Sequence, residues 1–265
     1  MVSGGSPTPP IDYSKRYVTF TALETGTFTF TGTVNNSINY SLDDGETWTA
    51  LAKGVASPTV NAGSKIMWKG TCSAGSSSTG YGIGAFSSTG AFDVEGNIMS
   101  LIRGDSFIDN VDLTGKARCF TNLFNGCTTI VNAKNLVLPA TTLVTYSYSS
   151  MFYGCTSLVT APENLPATAL TNSCYYRMFR GCSALTTSPV LPATTLTTYC
   201  YRDMFSGCSS LDYIKCLATD ISASSCTNNW VSSVKATGTF VKAASMSSWT
   251  TGNSGIPSGW TVQDA

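Results

Sequence analysis

The side chains able to do chemistry in this chain are few and unevenly placed. It carries ten cysteines and 15 carboxylates but no histidine. Without histidine, the commonest general base and the commonest neutral metal ligand are missing. An enzyme built here would have to run on carboxylates, Tyr, Lys or Cys. No Cys-x-x-Cys pair is present, so no zinc site is expected. Asp43, Asp44, Glu46, Asp93 and Glu95 are the carboxylates nearest to forming pairs. Nothing in their spacing marks a glycosidase pair, whose members must face one cleft. There is no phosphate-binding loop and no Gly-x-Ser-x-Gly elbow. The expectation is a protein with no catalytic residue, no cofactor and no metal, which is to say not an enzyme.

Two short motifs have local readings. Ser41-Leu42-Asp43-Asp44-Gly45-Glu46-Thr47-Trp48 resembles the Asp-box turn of sialidase propellers and other β proteins. Its physics is that of a hairpin: the Asp accepts backbone donors, Gly takes a positive φ, and Trp packs beneath. A sialidase would need several boxes and an arginine triad, and neither is apparent. Arg103-Gly104-Asp105 matches the integrin tripeptide, a three-residue match that chance supplies readily.

The cysteines belong to a repeat. Phe-x-Gly-Cys occurs at Phe124–Cys127, Phe152–Cys155, Phe179–Cys182 and Phe205–Cys208, spaced 28, 27 and 26 residues apart. An aromatic precedes each Phe by four positions (Phe120, Tyr148, Tyr175, Tyr201), and Leu123, Met151, Met178 or Met204 precedes it directly. Ile130, Leu158, Leu185 and Leu211 follow three residues after the Cys. Leu-Pro-Ala recurs at Leu138, Leu165 and Leu191. A period in the twenties is that of a leucine-rich solenoid, whose units bury their apolar side only by stacking. Each unit reads as a short helical turn, a Gly-led stop and a short strand such as Leu185–Thr187. Pro162 or Pro189 then turns the chain away. At about 4.8 Å per strand, four units give roughly 20 Å of sheet.

Cys127, Cys155, Cys182 and Cys208 form one cysteine column; Cys119, Cys174, Cys200 and Cys226 form another, with Ser147 in the gap. Parallel neighbours at strand spacing do not present the converging Cβ atoms a disulfide needs. Buried thiols acting as small apolar filler are expected. The repeat frame therefore rests on Phe124, Phe152, Phe179 and Phe205 with the Gly-Cys thiols. The residues that vary inside it are Thr121-Asn122, Ser149-Ser150, Tyr176-Arg177 and Arg202-Asp203. They are expected to lie exposed on one face, and Tyr176, Arg177, Arg202 and Asp203 are the candidate binding surface.

At these columns the sequence resembles the BspA-like leucine-rich repeat family of surface proteins. The matching phrases are MFYGCTSLVTAPENLPATAL (151–170), MFRGCSALTTSPVLPATTL (178–196) and MFSGCSSL (204–211), with the closing GTFVKAASMSSWTTGNSGIPSGWTV (238–262). The resemblance covers about residues 95–265. It implies a solenoid that works on bacterial surfaces, or on phages of those bacteria, by adhering to hosts, matrix or glycans. It supplies no catalytic residue.

The whole chain sets the organisation. The fold class is mainly β with short helices: a small antiparallel β domain followed by a short capped leucine-rich solenoid. Residues 1–15 read as a flexible Pro/Ser/Gly-rich leader and 16–95 as a β-sandwich-like domain. Residues 96–226 read as the solenoid and 227–265 as a cap rich in large apolar residues, including Trp230, Trp249 and Trp260. In the β domain, Val18–Phe20, Thr27–Phe30, Ser37–Tyr40, Thr47–Leu51, Lys65–Lys69 and Gly84–Val94 read as strands, with a Gly/Ser loop at Ser73–Gly82. Lys+Arg and Asp+Glu are 15 each, a balance that argues against nucleic acid or an anionic membrane surface as partner, because both need a basic face. Charged residues are 11%, about half the usual share. No apolar run is long enough to span a bilayer, and Met1–Pro10 lacks a signal peptide's basic and apolar regions. These features point to a virion structural protein of a phage: a head-decoration, fibre or tail component. Its N-terminal region would bind other virion or surface proteins, and the solenoid a host protein or glycan. The alternative is a bacterial cell-surface adhesin, and a glycan-processing enzyme ranks below both. A free sheet edge in the β domain would permit a homo-oligomer.

Overall fold

A computed structural model describes residues 10–32, 38–72 and 82–265. The expected Gly/Ser loop lies almost wholly outside these residues, as do most of the leader and Ser37. The protein is mainly β, with very little helix, and contains a β-solenoid of about three turns.

The N-terminal part is built from β1 (Val18–Ala22), β2 (Phe28–Phe30), β3 (Ile38–Ser41), β4 (Thr49–Leu51), β5 (Lys65–Gly70), β6 (Phe86–Ser88) and β7 (Phe92–Asn97). β4, β3, β5, β1 and β7 lie side by side as antiparallel neighbours, with β4 at the outer edge. β2 and β6 pair separately. The stretch Gly84–Val94 is therefore two strands in different sheets, parted at Ser88–Gly90, where the Ser88 hydroxyl donates to Gly90 O. Phe20 of β1 packs against Phe28, Phe86 and Phe92, so one aromatic cluster joins both sheets. Tyr13–Lys15, the end of the expected leader, forms a 3₁₀ turn. Asn97 Nδ2 donates to its Ser14 O at 2.8 Å.

β7 is the junction. One side pairs antiparallel with β1; the other pairs parallel with β8 (Ile130–Asn132) and β9 (Leu136–Val137). Gly96 stands at the crossing with φ +90°, and a Cβ there would lie 2.1 Å from Tyr17 O. Only glycine satisfies both conditions. From β8 the parallel ladder continues through Thr160 to β10 (Thr187–Leu191), β11 (Tyr213–Cys216), β12 (Thr239–Lys242) and β13 (Thr261–Asp264). The boundary expected near residue 95 thus falls inside a strand shared by both parts, and the buried apolar residues from Val18 to Trp260 form one core. Pro189 does not turn the chain away as expected. It sits within β10 at an irregularity where the register to β11 shifts, because proline cannot donate to the ladder.

Opposite the sheet, the segments expected to be helical turns are not helical. Residues 118–126, 146–154, 173–181, 199–207 and 225–233 form five stacked rows of consecutive turns. In the row 173–181, the N–H groups of Ser173, Tyr175, Arg177, Phe179 and Gly181 donate to carbonyls of the next row, at Thr198, Cys200, Arg202, Met204 and Ser206. The intervening N–H groups of Cys174, Tyr176, Met178 and Arg180 donate three residues back along the chain, to Thr171, Ser173, Tyr175 and Arg177. Every donor in the row is used, four locally and five between rows. Every fourth residue takes a positive φ: Ser173 at 57°, Arg177 at 56°, Gly181 at 77°. Side chains consequently point inward and outward in pairs. An apolar pair every four residues imitates the period of a helix, which is why the sequence reads as one.

Inside, the repeat columns become stacks of rings. Phe86 begins one; Phe124, Phe152, Phe179 and Phe205 follow at 5.9, 5.3, 5.4 and 5.7 Å. Phe120, Tyr148, Tyr175 and Tyr201 form the second at 5.6, 5.7 and 6.0 Å. Trp230 ends both, 6.2 Å from Tyr201 and from Phe205; its Nε1 donates to Gly255 O, and Trp249 stacks beyond it. Residues 227–265 close the stack and also extend the sheet by two strands.

The nine cysteines from Cys119 to Cys226 are buried free thiols, and Cys72 is buried as well. The Gly-Cys column does more than fill space. The thiols of Cys155, Cys182 and Cys208 each donate at 3.0 Å to a carbonyl of the preceding row, at Phe124, Phe152 and Phe179. Burial pushes these thiols up, Cys208 to about 12. Cys182→Ala is expected to cost about 1–3 kcal/mol in urea unfolding, from one lost inter-row bond and a small cavity. In the same preparation the native column thiols are expected to resist a thiol-labelling reagent and to react fully after unfolding. Rapid native labelling of Cys155 or Cys182 would contradict this placement.

Candidate functional site

The row architecture decides which outward residues meet. Tyr176 and Arg177 leave one row side by side, and Arg202 and Asp203 leave the next at the same two positions. Arg177 and Asp203 are therefore stacked neighbours across the gap between rows. Arg177 Nε donates to Asp203 Oδ2 at 3.3 Å. Arg180 Nη1 lies 3.6 Å and Arg202 Nε 3.7 Å from the same oxygen, at ion-pair distance. Asp203 is buried, not exposed as expected, because three guanidinium groups converge on it. Thr121 and Ser149, which stand at Arg202's position in the earlier rows, are buried rather than exposed as expected: each hydroxyl donates to a carbonyl of the next row.

Of the four residues predicted as a surface, the structure brings Arg177, Arg202 and Asp203 together, with Tyr176 beneath Arg177 at 4.6 Å from guanidinium to ring centre. Arg180 completes the cluster. The variable position of Phe-x-Gly-Cys, filled by Asn125, Tyr153, Arg180 and Ser206, was the signal for it. Tyr199 lies against Arg202 at 5.3 Å, and Arg118 against Tyr146 at 4.0 Å in the first two rows. Tyr153 and Tyr199 are exposed. Arginine over tyrosine is a favourable electrostatic contact, worth about 0.5–1 kcal/mol at exposed sites. The five rows carry four arginines and one aspartate, so this face is cationic on a chain with no net charge.

The sheet carries a groove lined by Lys134, Pro162, Glu163, Val190, Tyr213 and Lys215. Its charges are of both signs. Among the described residues no three His, Cys, Asp or Glu side chains come together as a metal site.

The other motifs are held in local structure. Asp43 accepts from Thr47 N at 2.9 Å, from the Thr47 hydroxyl and from the Ser41 hydroxyl; Trp48 Nε1 donates to Gly45 O at 3.0 Å. The hydroxyls of Ser41 and Thr47 hold the Asp43 carboxyl down at about 2. Asp105 accepts from Lys69 Nζ at 2.8 Å and from the Tyr17 hydroxyl at 2.7 Å, and Arg103 Nη2 donates to Asp112 O at 2.6 Å. Both charges of the Arg-Gly-Asp tripeptide are thus engaged within the fold. Glu95 pairs with Lys65 at 2.7 Å, while burial raises Asp93.

No known protein family, no curated protein and no solved structure matches the chain.

Asp203→Ala should leave three guanidinium groups facing one another. Each is about one-third exposed, so water screens the repulsion. The expected loss is about 1–2 kcal/mol in urea unfolding, partly recovered at about 0.5 M salt. A loss insensitive to salt would show that packing, not charge, holds the cluster. For Asp43 the folded pKa lies below its unfolded value. Its contribution is therefore fully present above pH ~4 and is lost as pH falls through about 2. Unfolding of Asp43→Asn should lack that component when compared with the parent chain between neutral pH and about pH 2.

Proposed function

We propose that this protein is a non-enzymatic surface or virion structural protein: a phage head-decoration, fibre or tail component. Its solenoid, of the BspA-like leucine-rich type, presents its turn face to a host protein or glycan. The observation that carries the proposal is the cluster of Arg177, Arg180 and Arg202 around Asp203, flanked by Tyr176 and Tyr199, on rows locked to one another by backbone hydrogen bonds. Charged, aromatic-flanked side chains on a rigid frame suit recognition, because little freedom is lost when a partner binds. The repeat columns support the family assignment. The N-terminal sheet would contact other virion or surface proteins, with β4 as its open edge. A bacterial cell-surface adhesin would use the same face in the same way.

Two measurements test this reading. Mass spectrometry of purified phage particles should find the chain; its absence would remove the virion placement and leave the adhesin. Fluorescently labelled protein should bind cells in a panel of bacteria, and Arg177→Gln/Arg202→Gln should lower that binding at least about tenfold, the scale of a lost charge-assisted contact. Lys215→Gln on the sheet face should leave it unchanged. The reverse pattern would move the binding surface to the sheet.

A further inference from the structure

We infer that the cluster formed by Arg177, Arg180 and Arg202 is a site for the carboxylate groups of an acidic polysaccharide chain, which names the partner class for the surface-binding reading and rests on it. Three guanidinium groups share one aspartate. Only Arg177 Nε is within hydrogen-bond reach of Oδ2; Arg180 and Arg202 approach it at ion-pair distance alone. Each guanidinium carries five donors, and one carboxylate oxygen cannot satisfy them. Their side chains stay 36% exposed for Arg177 and Arg180 and 38% for Arg202, whereas Asp203 is 9% exposed. The aspartate lies beneath as an anchor for the three forks; Arg202 Nε is buried without a hydrogen-bond partner, while the three side chains keep about one-third of their surface exposed and carry an excess of two positive charges over Asp203. No other carboxylate occurs in any of the five rows to compete for them.

The geometry selects among anions. A planar fork matches the planar, two-oxygen edge of a carboxylate. Tyr176 and Tyr199, lying against two of the three arginines, add ring surface of the kind that packs on the apolar face of a sugar. A third arginine–tyrosine pair, Arg118 with Tyr146, lies in the first two rows of the same ladder, so the cationic surface extends along the stack. That suits a chain with repeated carboxylates better than a single small anion. A peptide is disfavoured because it would gain affinity through main-chain pairing, and every N–H of the row 173–181 is already used within and between rows. A nucleic acid would need a far more basic surface than a neutral chain with four arginines on this face provides.

The test is calorimetric titration of the full chain with four probes at matched ionic strength: oligogalacturonate, a heparin-derived tetrasaccharide, a neutral malto-oligosaccharide and inorganic phosphate. Oligogalacturonate should bind, more weakly as salt is raised, and the malto-oligosaccharide should not. Arg180→Gln, which leaves Arg177 and Arg202 on Asp203, should weaken oligogalacturonate at least about tenfold with thermal unfolding unchanged. Lys53→Gln, outside the rows, should not. Equal binding of the neutral sugar, binding of the heparin fragment alone, phosphate binding as tightly as oligogalacturonate, or an unaffected Arg180→Gln would each overturn the inference. If oligogalacturonate fails while labelled protein still binds cells through Arg177 and Arg202, the acidic-sugar assignment falls and the surface-binding reading stands. If cell binding is also absent, both fall.

Discussion

The structure depends on a backbone that divides its hydrogen bonds between two directions. In the turn rows, alternate N–H groups close turns within the row and the others reach the next row. A helix spends all its donors internally and could stack only through side chains. A strand spends them all on neighbours and turns side chains out singly. The row does half of each, and its side chains therefore come in pairs, two in and two out. The cost is a positive φ at every fourth residue, often on residues such as Arg177, Tyr199 and Asp203 that prefer other conformations. The inter-row ladder offsets that strain.

Everything inside follows from this spacing. Rows held at ladder distance place equivalent rings 5.3–6.2 Å apart in near-parallel stacks. They also bring the Gly-Cys thiols to 3.0 Å from the Phe carbonyls of the preceding row. The ends need partners that continue both ladders. At one end Phe86 heads the Phe stack while β7 carries the sheet; at the other Trp230 covers both stacks while β12 and β13 carry the sheet. The N-terminal strands and the C-terminal aromatic residues thus solve one problem, an exposed end that would otherwise be apolar and unpaired.

The same spacing assembles the charged cluster on the turn rows. Row-to-row distance brings a side chain on one row within ion-pair reach of its counterpart 26 residues later, as Arg177 meets Asp203. A single acid held under three bases gives a rigid, net-cationic group on a chain of no net charge. Rigidity comes from the ladder and charge from the variable positions, so outward residues can change without disturbing the frame.

The recurring columns were legible in the sequence because a stack requires like residues at like positions. Phe124, Phe152, Phe179 and Phe205 and their cysteines announce themselves that way, while the closing role of Trp230 showed in the large apolar residues that follow the last repeat. So did the strands at Val18–Phe20 and Thr27–Phe30, through their alternation. The turn rows were not legible as such, since a pair of apolar residues every four positions satisfies a helix equally well, and only the direction of the N–H groups separates the two. Nor was the continuity of β7 with the solenoid, which depends on pairing between Phe92 and Ile130, 38 residues apart in the chain. Arg180 and the burial of Asp203 were hidden for the same reason. Sequence alone determined which residues share a column; the tertiary structure decided which columns touch, because contacts between rows are set by backbone register and not by neighbours along the chain.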